Sequence, residues 1–490
     1  MGNFKNLTLL HSNDMHGDFF SSSEQSSVIG GISLLSGYVN KVRREVPNVL
    51  YCIAGDMLQG SLIDAEYQGI STIEIMNMLE PDVACIGNHE VDYGLAHLLF
   101  LERCATFPIL NANLFVKNPP TRLFTPQVIL RVDGMKIMFI GITTEEIIHS
   151  IKRERLLGSF IDIYEAAREV GRICNAYRTT DIDLTVLLTH IGFEEDKKLA
   201  ALLDPEWGVD VIIGGHSHTV LEQPEIVNDI YIVQAGMGTA QIGRFDIVVD
   251  TDNNTVHDYT WELVPIDAQH CPRNEKLEEI LTYFQERTDD KYGSILCHLA
   301  DVLKHPSRYQ ETELGNFFAD ILLEMLDIDL MLLGSGSIRK LEAGPIITHG
   351  DLMELMPYDE EIYRLKATGA QLKQMMLYML REEALAGQHT EFFQLSKGIE
   401  IVYNREQQAF EEFNLNGAPI EDDKLYAFGL PVYHYANFAT SLGLPIEDIL
   451  AHGKALVLTT SLHDVIGEFF QAHHPKIARV EGRLVIKNNF

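Results

Sequence analysis

Basic residues are scarce in this 490-residue chain: 38 Lys and Arg stand against 71 Asp and Glu, a net charge of −33 at neutral pH. A field of that sign argues against nucleic-acid polymers and anionic membranes as broad-surface partners. It leaves room for a small anionic substrate wherever a cationic centre dominates locally, and bound divalent ions are one way to build such a centre. Long apolar runs are missing too, so the sequence predicts no membrane-spanning helix. The apolar stretch at 7–10 is too short for a signal-peptide core, and Asn6 breaks the myristoylation pattern. The six cysteines (Cys52, Cys85, Cys104, Cys174, Cys271, Cys297) contain no C-x-x-C pair, which reads as reduced, mostly buried thiols in a cytoplasmic protein. Internal repeats and low-complexity tracts are absent as well.

What is present is a globular balance, 46% hydrophobic and 22% charged, over a length that predicts two or three domains. One pattern recurs early in the chain. A short apolar run ends in a polar cluster, and a more helical stretch follows. The runs lie at 7–10, 49–53, 83–86, 136–142, 184–188, 209–213 and 230–233. Continuous runs of this length predict strands buried on both faces, hence a layered α/β domain. A hairpin is expected at 245–250 and 255–263, around Asn253-Asn254. From Asn274 to Arg287 the residues Leu277, Ile280, Leu281 and Phe284 fall at helical spacing, with Asn274 as N-cap. We read this as a solvent-facing linker helix within 273–294, joining a domain at 1–272 to an α+β domain at 295–490. In the latter, helices are expected at 313–326 and 369–385.

The chemistry lies where the early strands end. Asp14-Met15-His16-Gly17 follows the first, Gly55-Asp56 the second and Gly87-Asn88-His89-Glu90 the third; Thr189-His190 and Gly215-His216-Ser217-His218 follow two later ones. In an open α/β sheet, ligands gather beyond the carboxyl ends of the strands. Asp14 and His16 are two apart, as are His216 and His218, so an extended backbone would project each pair to one side. Asp, His and Asn without Cys suit Mn, Zn, Fe or Co. The groups are too many for one tetrahedral ion and suit two ions that share a carboxylate.

The D-x-H-G, G-D, G-N-H-E, H and G-H-S-H series resembles the calcineurin-like metallophosphoesterases, of which the 5′-nucleotidases form a branch. The resemblance implies a layered β-sandwich flanked by helices, with two divalent ions bridged by one aspartate and one water. Carried over by position, Asp14, His16, Asp56 and His218 hold one ion, and Asp56, Asn88, His190 and His216 hold the other. A hydroxide bridging the ions would attack phosphorus, on a centre that keeps a net charge of about +1. His218 stands where the 5′-nucleotidase branch often has Gln. His89, with Asn88 before it on the metal, is expected to act on the transferring phosphoryl group or the leaving oxygen. Asp92, three residues on, would orient its imidazole.

The C-terminal part is also similar to 5′-nucleotidases, through Glu311-Thr312-Glu313-Leu314-Gly315-Asn316, Gly334-Ser335-Gly336-Ser337-Ile338-Arg339 and Met356-Pro357-Tyr358. The resemblance implies a nucleotide-binding domain in which Tyr358 and Tyr433 clamp the base while Arg339 and Arg308 hold polar groups. The chain departs from the family pattern at Gly334 and Glu313 (Asn in the family) and at Gln310. His434-Tyr435-Ala436-Asn437 replaces a Gly-Gly-Asp-Gly segment. Three readings follow: a nucleotide phosphomonoesterase, another phosphoesterase acting on cyclic nucleotides, nucleotide-sugars or a non-nucleotide ester, and a metal-containing binding protein without turnover. Because clamp and metals would lie in different domains, the first reading also predicts hinge motion at the linker. Oligomeric state is not legible.

Overall fold

The early apolar runs become strands whose alternate side chains serve two different layers, which is why apolar residues dominate them. The computed structural model describes residues 2–24, 27–116, 121–145, 147, 157–160, 162–385, 391–472 and 478–487. It divides into two units, Met1–Thr288 and Asp289–Phe490.

The first unit holds two six-stranded sheets. One runs in the order Thr255–Pro265, Gln241–Asp250, Phe4–Ser12, Val49–Ala54, Val83–Cys85, Ile109–Leu110. The other runs Glu225–Val227, Ile230–Val233, Val211–Ile213, Leu184–His190, Met135–Thr143, Gln127–Val132. Central neighbours are parallel: Phe4–Ser12 with Val49–Ala54, and Met135–Thr143 with Leu184–His190. Leu7, Leu9, Cys52 and Ala54 of the first sheet pack against Ile137, Phe139, Val186 and Leu188 of the second. The opposite faces are covered by helices. Leu10, Tyr51 and Ile53 meet Leu35 and Val39 of Ile32–Glu45. Met138, Ile140 and Leu187 meet Val170 of Ile163–Ala176 and Leu199 of Phe193–Leu202. The result is a helix–sheet–sheet–helix stack, each buried aliphatic side chain contributing on the order of 2 kcal/mol. The expected hairpin is present, its turn carrying Asn254 at φ 54°.

The helix after Pro272 is Glu275–Tyr292, and Asn274 accepts the Leu277 amide at 3.4 Å. Its stripe does more than link. Leu277, Leu281 and Phe284 are buried in the first unit, Phe284 edge-on to Tyr67 at 5.0 Å. The unit boundary consequently falls inside the helix, after Thr288, and not at its ends.

The second unit has a five-stranded sheet, Phe393–Leu395, Leu330–Gly334, Leu425–Pro431, Ile362–Thr368, Leu456–Thr459. A four-stranded sheet runs Ala418–Pro419, Ala409–Leu415, Ile399–Asn404, Leu484–Lys487. Helix Glu313–Met325 starts at Thr312, whose hydroxyl caps the Gly315 amide at 3.0 Å. The helix expected at 369–385 is two pieces, Gly369–Met379 and Glu382–Leu385, because Leu380 adopts φ −95° and ψ 14° and ends the first. None of the described helices is long and apolar enough to cross a membrane.

His11 sits on the inter-sheet side of its strand, fully buried and stacked on Trp261 at 5.4 Å. Neither ring nitrogen has a hydrogen-bond partner, and burial holds its pKa at about 3. The unfolded chain takes up this proton first, near pH 6.5. Stability is therefore intact above pH 6.5 and falls as pH drops toward 3. Urea midpoints should show that His11→Leu removes about 2 kcal/mol of the stability lost by the native protein between pH 7 and pH 5. An unchanged pH dependence in the variant would contradict the assignment.

Candidate metal centre

The strand ends converge as their positions suggest, but not through an extended backbone. Asp14 (φ 50°), His16 (φ 47°), Asp56 (φ 52°), His216 (φ 78°) and His218 (φ 53°) are all left-handed. The chain turns sharply at each, so neighbours two apart converge by curling and not by sharing one side of a strand. Hydrogen bonds hold those turns: the Asp14 amide donates to the Gly55 carbonyl at 3.1 Å, and the His16 amide to the Asp56 carbonyl at 3.0 Å.

Three groups of potential ligand atoms lie close together: Asp14 with His16 and His218, Asp14 with Asp56 and His190, and His16 with Asp56 and His89. His218 Nε2 is 3.4 Å from Asp14 Oδ1 and 3.3 Å from His16 Nε2. His190 Nε2 is 3.1 Å from Asp56 Oδ2 and 3.7 Å from Asp14 Oδ1. His216 Nδ1 meets Asn88 Oδ1 at 2.9 Å, and the His216 amide donates to the Asp14 carboxylate at 3.0 Å. All seven residues proposed as ligands thus border one cluster at the carboxyl edge of the sheets.

The donor chemistry suits divalent ions. His190 Nδ1–H donates to the Ala54 carbonyl at 2.8 Å, which turns Nε2 toward both carboxylates. Its ring is wedged so closely that a Cβ on Gly215 would lie 2.7 Å from Nδ1. Burial opposes charge on Asp56, yet His190, His89 and His16 hold it well below the usual carboxylate range. Burial would likewise lower His190, but Asp56 and Asp14 draw it up to about 10. Two buried carboxylates here demand positive charge, and two cations meet that demand better than one proton.

His89 donates its own amide to Asp56 Oδ1 at 2.9 Å, and its Nδ1 meets Asp92 Oδ2 at 2.7 Å. With Nδ1 so engaged, its other nitrogen faces the cluster, the ring edge-on to His16 at 5.3 Å.

Supporting residues that the sequence reading left without a role appear only here. Glu90, fully buried, accepts four backbone amides: Asp56 at 3.0 Å, Met57 at 2.7 Å, Leu58 at 3.3 Å and Gly87 at 2.6 Å. Burial and then Asp56 push its carboxyl up to about 7, against the pull of those donors. Asn13 ties Asp14 (2.6 Å) to the 235–236 turn, through the Gly236 carbonyl at 2.5 Å and the Ala235 amide at 3.0 Å. The sequence signal for both was adjacency to a ligand motif, without any hint of their partners.

In the second unit Arg339 donates to the Tyr358 hydroxyl at 2.6 Å, its guanidinium 5.3 Å from the ring centre. Arg308 is near: burial, then Arg339, lower its pKa. Tyr433 stands 42% exposed on Val432–Ala436, its ring edge-on to buried His434 at 5.2 Å. His434 explains one departure from the family pattern. A Cβ at position 334 would lie 2.0 Å from its Nε2, so Gly334 and His434 form a matched pair in which Asn at 334 would collide.

The calcineurin-like phosphoesterase model matches residues 7–220, and the 5′-nucleotidase C-terminal domain model matches 295–437. The chain is 26% identical to the 5′-nucleotidase of Mus musculus, covering 98% of this chain and 90% of that protein. It is 28% identical to the trifunctional nucleotide phosphoesterase protein YfkN of Bacillus subtilis over 76% of this chain, and spans 27% of that longer protein. Its fold is that of the 5′-nucleotidase precursor from Thermus thermophilus, with a TM-score of 0.84, 22% identity, and coverage of 99% of this chain and 100% of that one. With both domain models in sequence order and a carboxylate–imidazole cluster at the carboxyl edge of the sheets, the chain is a metallophosphoesterase and belongs to the 5′-nucleotidase family.

Proposed function

We infer that this chain releases phosphate from nucleoside monophosphates, in a small-molecule reaction run at the first unit's metal centre. The observation that carries the reading is the convergence of Asp14, His16, Asp56, His190 and His218 in overlapping groups of three whose ligand atoms lie within 4.8 Å of one another. Two bound divalent ions, from Mn, Zn, Fe or Co, would supply an activated water and neutralise phosphate charge. Asp14, His16, Asp56 and His218 would hold one, and Asp56, Asn88, His190 and His216 the other. His89, oriented by Asp92, is placed to hold a proton at its outer nitrogen for the phosphoryl or leaving oxygen. Arg339 and Tyr358, already locked together, offer a cation and a ring face to a nucleotide. A cytoplasmic location is our reading of six free thiols.

The Gly334–His434 pair favours a second reading, in which the same centre serves nucleotide-sugars, cyclic nucleotides or a non-nucleotide ester. The experiment is phosphate release by protein stripped of metal and reloaded with Mn or Zn, across nucleoside monophosphates, cyclic nucleotides, nucleotide-sugars and an aryl phosphate. Metal-dependent turnover led by monophosphates is expected; turnover of the aryl phosphate alone would overturn the nucleotidase reading. His89→Ala should lower kcat by about 100- to 1,000-fold with both ions retained. Full activity in that variant would remove His89 from the chemistry.

A further inference from the structure

Asp196 lies in the first full turn of helix Phe193–Leu202, completely buried behind the metal cluster, and no step above uses it. Its Oδ1 accepts the Thr189 hydroxyl at 2.6 Å; its Oδ2 has no hydrogen-bond partner. That second oxygen presses on Gly214, where a Cβ would lie 2.3 Å away. Thr189 directly precedes His190, and Gly214 is two residues before His216. One carboxyl therefore touches both ligand loops that follow neighbouring strands of the second sheet. The helix start is fastened to the same two loops. The Gly192 amide donates to the Gly215 carbonyl at 3.1 Å, and the Phe193 amide donates to Ser217 Oγ at 3.0 Å.

We propose that Asp196 is a positioning residue that locks the His190 and His216 loops together, preassembling with Asn88 one half of the metal centre. A buried oxygen without a hydrogen-bond partner is poorly suited to negative charge. Burial accordingly pushes the carboxyl up to about 8, which makes the neutral acid the resident form at pH 7. The link differs from the Glu90 support, which acts on the Asp56 loop. The direct contacts of Asp196, Thr189 and Gly214, stand beside His190 and His216, ligands of the ion opposite Asp14, His16 and His218, so its loss should weaken that ion more than the other. The inference rests on the dinuclear reading of the site.

The test is metal stoichiometry of the full chain, by elemental analysis after titration with Mn, with kcat and KM measured alongside. Asp196→Ala should drop bound metal from about two ions to about one and lower kcat by about 10- to 100-fold, leaving KM nearly unchanged. Asp196→Asn keeps an acceptor for Thr189 and should stay within about threefold of the native enzyme. Should Asp196→Ala fail to fold, Thr189→Val removes the same hydrogen bond and should show the same unequal loss. Two ions bound at native affinity in Asp196→Ala or Thr189→Val would overturn the proposal, whatever the change in Tm. So would an Asp196→Asn variant as damaged as Asp196→Ala, because the role would then need the anion. A native protein that never binds a second ion would sink the dinuclear reading itself, and this inference with it.

Discussion

Asp56→Ala should abolish turnover and deprive the protein of both ions. In the proposed ligand sets its carboxylate is the one group that serves both ions, and it lies 3.1 Å from His190 and 3.8 Å from His16. Removing it leaves four imidazoles, one carboxylate and the Asn88 amide for what were two sites. A fall in kcat of roughly 10,000-fold is expected, which is about 5.5 kcal/mol of transition-state stabilisation. Metal analysis after exhaustive dialysis against Mn should find far less than one ion per chain. The fold itself should survive, since His190 can simply become neutral once its carboxylate partner is gone, and the metal-free variant should melt within a few degrees of the metal-free native protein. A variant that kept two ions and measurable turnover would remove Asp56 from the bridging position.

Glu90→Ala should do the reverse, damaging the fold first and the chemistry through it. Four buried backbone amides converge on its carboxylate, from Asp56, Met57, Leu58 and Gly87. Alanine leaves all four without an acceptor in a place water does not reach. An unsatisfied buried donor costs roughly 1–3 kcal/mol, and partial relaxation keeps the total near about 4 kcal/mol. For a unit of this size that is a drop in Tm on the order of 10 °C in the metal-free protein. Glu90→Gln should fall between, because its oxygen can accept two of the amides while its NH2 faces the others. Native thermal stability in Glu90→Ala would show that the loops hold their shape without the carboxylate. The contrast between the two variants separates a ligand from its support, one losing metal with the fold intact, the other losing stability before metal is added.

The strands and the metal series were legible because each depends on neighbours in sequence. A run such as 184–188 reads as a doubly buried strand from its own residues, and His190 follows it directly. Asp92 was legible for the same reason, three residues from His89 on one turn. Glu90 was not, because three of its four amides lie 32–34 residues away, and their approach depends on two parallel strands pairing. Asp196 was opaque for a related reason: it reads as one more acidic residue beside Glu194 and Glu195 until the helix is seen packed behind Thr189. The backbone at the ligands was misjudged as extended because alternation at spacing two does not distinguish a strand from successive left-handed turns. Gly334 reads as a departure from the family pattern in sequence, and as the space His434 fills in the structure. The helix break at Leu380 carried no Pro or Gly signal; the residues there are ordinary helix formers.

The left-handed geometry of five ligand residues sets the durability of this fold against its chemistry. Aspartate and histidine at such angles each cost about 1 kcal/mol relative to glycine, which adopts them freely. Selection for a sturdier fold alone would replace Asp14, His16, Asp56, His216 and His218 by glycine, and only the need for coordinating side chains opposes that drift. Glycine appearing at these five positions in a related sequence is therefore the expected mark of a lineage that kept the scaffold after giving up catalysis.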